Sequence, residues 1–259
     1  MSAFIITAGQ SNAMVFGNSG PAPYAPTSRV QIFDGAHFVE MLPGVNTGTA
    51  NNPGVWGPEV AIANRWLSDN PSGTLFLLKS AHGSTGMAQD PAELDWSPAS
   101  RGEMFDITTH LVDAAKAELG ALGQPATVTA VMWVDGEQDA ISATKAAAAV
   151  PNLVAETIAI RAAWADFGTP VIFARLDSAQ HLPFEAEIQH AQDLVAASLP
   201  DVSVVNTDTL PLQADHLHYA AAGAIGLGDE LFSALQAYSH TSFGPAWAGP
   251  RGDFLGAEQ

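Results

Sequence analysis

The chain has 259 residues, 27 of them acidic against 9 basic, and no cysteine. A net charge of −18 repels phosphate backbones and anionic lipid faces, so nucleic acid and membrane surfaces are excluded as partners. The missing thiols exclude disulfides, thiolate zinc sites and a cysteine nucleophile together, while 47% hydrophobic and 14% charged residues supply a folded core.

The first stretch, MSAFIITAGQS, has neither a basic leader nor a small-residue cleavage site and reads as a strand. The chain as given is therefore expected to be cytoplasmic, or to be a mature or phage-borne form that acts outside the cell. Strand-length apolar runs follow at Phe4 to Ala8, Thr74 to Lys79, Thr127 to Val134, Pro170 to Leu176 and Val202 to Asn206. Between them, helix-period stretches cover Gly57 to Ser68, Met104 to Leu122, Ala140 to Phe167 with a break near Pro151, Phe184 to Ser198, and Tyr219 to Tyr238. Such alternation predicts an α/β fold of three layers, α/β/α, around a mainly parallel sheet of about five strands. RVQIFDGAHFVEM adds a β-hairpin turning at Asp34-Gly35, expected on the rim. Residues 1–240 read as one domain, and 241–259, which have aromatics and turn residues but no period, as an extended arm.

In such folds ligands bind beyond the carboxyl ends of the strands, and the polar clusters of this chain fall there. Gly9-Gln10-Ser11-Asn12 follows the first strand, His82-Gly83-Ser84-Thr85 the second, Asp135-Gly136-Glu137-Gln138-Asp139 the third, and Asp215-His216-Leu217-His218 precedes the last helix. Serine attack on a carbonyl needs a base, a group that orients the base, and donors for the oxyanion. An Asp three residues before a His supplies the first two. A surface Asp/His pair is the commoner origin of D-x-x-H, and a polar helix start the commoner origin of a serine after a strand. Their co-occurrence carries the signal.

These blocks resemble the SGNH hydrolase superfamily, in its branch of sialate O-acetylesterases and acetylxylan esterases. "GQSNA" is similar to the nucleophile block, "WGPEVAIA" to the G-P-E helix start, "KSAHGSTGMA" to K-x-A-x-G-G-T, "MWVDGEQD" to W-x-Q-G-E-x-D, and "DHLHYAAAG" to the closing D-x-x-H, covering roughly Phe4 to Leu235. The resemblance implies a single esterase domain that removes acetyl or other short acyl groups from an acetylated sugar, without metal or organic cofactor. It makes Ser11 the nucleophile, His218 the general base and then acid, and Asp215 its orienting partner. Gly83 and the Ser11 amide become oxyanion donors, Gln10, Asn12 and Glu137 braces, and His216 a bystander.

Two positions depart from the family pattern. Ser84 replaces the second glycine of G-G-T, and it is expected to cost little because any residue but proline keeps its N–H. Asp135 replaces a glutamine that would donate near the reacting carbonyl. It is expected to be protonated by burial beside Glu137 and so still to donate, to turn away and leave Gly83 and the Ser11 amide to work alone, or to bind a substrate hydroxyl or amine and change specificity. This substitution also supports the alternative of a carbohydrate-binding or structural module with impaired catalysis. The classical hydrolase elbow G-x-S-x-G and the phosphate-binding glycine loops are not met. Asp135, Glu137 and Asp139 have the alternate spacing of a calcium loop, but Gly136 falls second rather than sixth. H-x-H at His216 and His218, with Asp215, lacks a third ligand cluster for zinc. Trp56, Trp66, Trp133 and Trp164 are expected in the core, and Trp96, in a proline-rich loop, at the pocket rim.

Overall fold

The computed structural model of the protein describes residues 2–15, 18–49 and 52–241. The strands are β1 (Ala3–Gly9), β2 (Val30–Phe33), β3 (Phe38–Glu40), β4 (Leu75–Ala81), β5 (Ala130–Val134), β6 (Val171–Ala174) and β7 (Val202–Val205). The helices are α1 (Ser11–Met14), α2 (Glu59–Asp69), α3 (Met104–Ala121), α4 (Ala143–Ala147), α5 (Ala149–Ala163), α6 (Glu185–Ser198) and α7 (Ala221–Thr241). One sheet takes the order β3-β2-β4-β1-β5-β6-β7, parallel throughout except for the β2–β3 hairpin. Among the described residues no helix is long and apolar enough to cross a membrane.

β1 is central because its side chains are apolar on both faces. Phe4, Ile6 and Ala8 join a cluster with residues of α3, α5 and α6, and Ile5 joins a second cluster with α2 and α7. Continuous apolar runs of this kind mark strands covered by helices on both sides, which is the three-layer architecture the alternation predicts. The helix expected over 140–167 is divided at Ala148, and Pro151 lies in the first turn of α5, where its missing N–H sacrifices no helical bond.

The sheet has seven strands rather than five because the hairpin is part of it. Asp34 Oδ1 accepts the Ala36 and His37 N–H groups and fixes the turn, and β2 then pairs in parallel with β4, Val30 opposite Leu75 and Ile32 opposite Leu77. Phe38 of the edge strand β3 meets the Phe4 ring edge-on at 5.9 Å and the Phe76 ring at 5.0 Å, which holds the hairpin on the core. The arm read over 241–259 lies outside the described residues, apart from Thr241 at the end of α7.

Candidate active site

Three neighbouring strands end level. Gly9 at the end of β1 stands opposite Ala81 of β4 on one side and Val134 of β5 on the other, so the segments that follow emerge at one place. Gly9 is required there: its φ is +138°, and a Cβ would lie 2.0 Å from the Val134 carbonyl oxygen. The chain bends, the Gln10 N–H returns to Val134 O at 3.0 Å, and Ser11 opens the single turn of α1.

The loop after β4 is held from three sides. The His82 N–H donates to Gly9 O, and Thr85 Oγ1 donates to His82 O at 2.8 Å. Thr85 in turn accepts from the indole of Trp96 at 2.9 Å. Asp139 receives the Met87 and Ala88 N–H groups at 2.8 and 3.2 Å, and its carboxylate sits so close to Gly86 that a Cβ there would come within 2.8 Å. Trp96 is thus fully buried, edge-on to Trp133 at 4.9 Å, and not at the rim. Its proline-rich loop turns the indole inward, where the N–H has a partner and the ring has a core. Ser84 differs from expectation as well. Its φ of +61° is left-handed, a conformation that costs a residue with a Cβ on the order of 1 kcal/mol and a glycine almost nothing.

Asp215 builds its own turn. Its Oδ1 accepts the N–H groups of Leu217 and His218, both at 3.0 Å, and its Oδ2 meets Nδ1 of His218 at 2.7 Å. Desolvation is the largest single influence on Asp215 and pushes it up, but the His218 ring, these two N–H groups and the His218 charge together bring its pKa down to about 2. Asn12 ties this turn to the Ser11 segment, since its Nδ2 donates to Leu217 O at 3.1 Å and its Oδ1 accepts the Tyr219 N–H.

Glu137 is the hub beneath. Its carboxylate accepts from Gln10 Nε2, Asn12 Nδ2 and, at 3.4 Å, Gln180 Nε2. Burial raises its pKa, and the Asn12 and Gln180 amides work in the opposite direction. Ser11, Gln10, Gly83, Glu137 and His218 line one cavity of about 370 Å³, with Ile141 and Leu182 as apolar wall. Asn12 lies below it, fully buried.

Asp135 is not part of that lining. One carboxyl oxygen accepts the N–H of the adjacent Gly136 and the other has no hydrogen-bond partner among the described residues. Burial, followed by the charges of Asp139 and Glu137, pushes its pKa well above the ordinary carboxylate range. Of the expected behaviours, the environment favours the protonated form, and the residue is absent from the cavity lining. The alternate carboxylates 135, 137 and 139 address different partners, and among the described residues no cluster of three or more His, Cys, Asp or Glu has a geometry that holds a metal ion.

Sequence reasoning passed over Gln180, whose amide joins Glu137 to Leu217 O (2.6 Å), and the wall residues Ile141 and Leu182. None stands in a motif. It weighed Asp139 only as a calcium ligand, although the aspartate ending the W-x-Q-G-E-x-D block was a signal for its part in the loop.

A family model described as a carbohydrate esterase, sialic acid-specific acetylesterase, matches residues 2–237. A comparison with curated proteins found no match. Among solved structures, a protein from Arabidopsis thaliana is similar with a TM-score of 0.74 and 21% identity, over 91% of this chain and 98% of its own. The protein titled NanS gives 0.63 and 15% over 92% and 98%. A carbohydrate acetylesterase from Xanthomonas citri gives 0.61 and 16% over 92% of this chain and 57% of its own. At these identities the likeness concerns the fold.

Proposed function

Because the chain belongs to the family of sialic acid-specific acetylesterases and is a carboxylic ester hydrolase acting on carbohydrate, we propose that it removes O-acetyl or other short acyl groups from a sugar through an acyl-enzyme at Ser11. The observation that carries this reading is the common cavity of Ser11, Gly83 and a His218 held by Asp215. With Nδ1 on the carboxylate, Nε2 of the imidazole is the nitrogen that takes the Ser11 proton as the hydroxyl attacks the acetyl carbonyl. The N–H groups of Ser11 and Gly83 receive the developing oxyanion. Collapse breaks the C–O bond to the sugar, whose oxygen takes the proton from His218, and leaves acetyl on Ser11. A water that gives its proton to His218 then attacks the acyl carbonyl, acetate leaves, and the proton returns to Ser11.

Gln10, Asn12 and Glu137 brace the two loops, so the first and last polar blocks cannot drift apart independently. The absence of Asp135 from the cavity lining weighs against the alternative of an impaired binding module. The test is turnover of p-nitrophenyl acetate and release of acetate from acetylated xylo-oligosaccharides. Ser11→Ala and His218→Ala are expected to lower kcat by on the order of 10⁴-fold or more, while excess EDTA leaves wild-type turnover intact. Equal rates for all three proteins remove the acyl-enzyme mechanism, and loss in EDTA returns metal chemistry.

A further inference from the structure

A second cavity, of about 230 Å³, adjoins the first and shares Gly83 and Ser84 with it, its far wall formed by His82, Glu93 and Leu94. Gln138 lines the first cavity and donates from Nε2 to Glu93 Oε2 at 2.7 Å, so the two spaces flank a common ridge and are joined by one hydrogen bond. Three carboxyl groups border this surface: Glu137 and Glu93 on the walls, and Asp215 behind His218.

The cations are elsewhere. Of nine basic residues, eight lie among the described ones, and none lines either cavity. Lys79 is buried against Glu59, and Lys145 is paired with Asp90 at 2.6 Å. Arg65, Arg101 and Arg175 pair with aspartates. Arg29 and Arg161 donate to backbone carbonyls of Gly73 and Pro200, before β4 and β7. Lys116 lies late in α3, which runs toward the edge where Gln124 meets Ser2.

We infer that this esterase takes acetyl esters of uncharged sugars and rejects anionic ones, with the cavity beside Glu93 as the subsite for a neighbouring uncharged sugar unit and Glu93 as a specificity-determining residue. The inference rests on the hydrolytic reading above. A carboxylate-bearing sugar would give up hydration to enter beside Glu93 and Glu137 with no lysine or arginine to pair it, the imidazoles of His82 and His218 being the basic groups on the walls, whereas hydroxyls find acceptors in Glu93 and in the Gln138 amide. The chain's overall charge opposes the approach of an anion before it arrives.

The experiment compares kcat/KM for acetylated xylo-oligosaccharides with that for O-acetylated N-acetylneuraminic acid, in wild type and Glu93→Gln, at low and high NaCl, with p-nitrophenyl acetate as a sugar-free control. In wild type at low salt the neutral ester is expected to lead by about fivefold or more, the size of one unfavourable charge contact across a partly solvated site. The lead should shrink by about threefold with salt, which screens that contact, and likewise in Glu93→Gln. A sialate ester turned over as well as the neutral one, or a ratio that neither salt nor Glu93→Gln moves, overturns the inference. So does p-nitrophenyl acetate turnover with neither sugar ester accepted. If instead p-nitrophenyl acetate turnover is absent, or is unchanged in Ser11→Ala, the hydrolytic reading itself fails.

Discussion

Glu156 gives a quantitative test of how this acidic chain tolerates carboxyl groups in its core. It lies on the inward side of α5, 1% exposed, and neither carboxyl oxygen has a hydrogen-bond partner among the described residues. Burial, then the charges of Asp95 and Asp139, holds its pKa well above the ordinary 4.5. The folded protein therefore keeps a proton that the unfolded chain releases near pH 4.5. Because the folded pKa is the higher one, the associated stability is full below that pH and is lost as pH rises through the window up to the folded pKa. The slope for one proton is about 1.4 kcal/mol per pH unit, so two units within the window remove about 2.7 kcal/mol. Glu156→Gln replaces one unpartnered polar group with another of the same shape and binds no proton. Its stability should match wild type within about 1 kcal/mol at pH 4.5 and exceed it increasingly at pH 5.5 and 6.5. Urea denaturation at the three pH values reads the difference, in which the other carboxylates cancel. A gap that stays constant with pH, or a variant less stable than wild type at pH 6.5, refutes the reasoning.

Three further outcomes follow from the same geometry. Asp135→Asn should change kcat for p-nitrophenyl acetate by no more than about threefold, whereas removing a true oxyanion contact costs about a hundredfold or more; a large loss places the carboxyl group at the carbonyl after all. Ser84→Gly relieves a left-handed φ at some cost in unfolded-chain entropy, so the net gain is about 0.5 kcal/mol, a Tm rise of about 1 to 2 °C by calorimetry; a fall in Tm contradicts the strain. Lys79→Met strands the Glu59 carboxylate with the Gly57 N–H alone and should cost about 3 to 5 kcal/mol. The double variant Lys79→Met/Glu59→Gln keeps that N–H contact and should recover most of the loss in urea melts, and equal destabilisation of both proteins rules out the buried pair as the cause.

What was legible in the sequence was local. Asp215 and His218 sit three residues apart, and that spacing alone lets one carboxylate take two N–H groups and the imidazole, so D-x-x-H specifies its turn without help from the rest of the chain. The same holds for Gly9, whose need for positive φ is written in the residue, and for β1, whose apolar run announces cover on both faces. Where distant packing decides, the letters were silent. β2 became a strand of the main sheet by pairing with β4 some forty positions on, and nothing in VQIF distinguishes that from a rim hairpin. Trp96 stands among prolines as a rim residue would, and only the Trp133 and Trp164 rings opposite it make it core. Ser84 was judged by the donor it keeps rather than by the φ it must adopt.

The same division separates the candidate site from its two departures. Ser11 and Gly83 follow the level ends of β1 and β4, and His218 stands in the turn that Asp215 builds, so their placement depends on ladder register, on Gly9 and on that turn, not on Asp135 or on the second glycine of the loop. Asp135 follows β5 directly, yet it is absent from the cavity lining, while Glu137 two residues on takes up Gln10, Asn12 and Gln180. A substitution at the first position therefore shifts protonation and stability. One at the second removes the hub between the Ser11 and His218 loops, and its effect should fall on kcat.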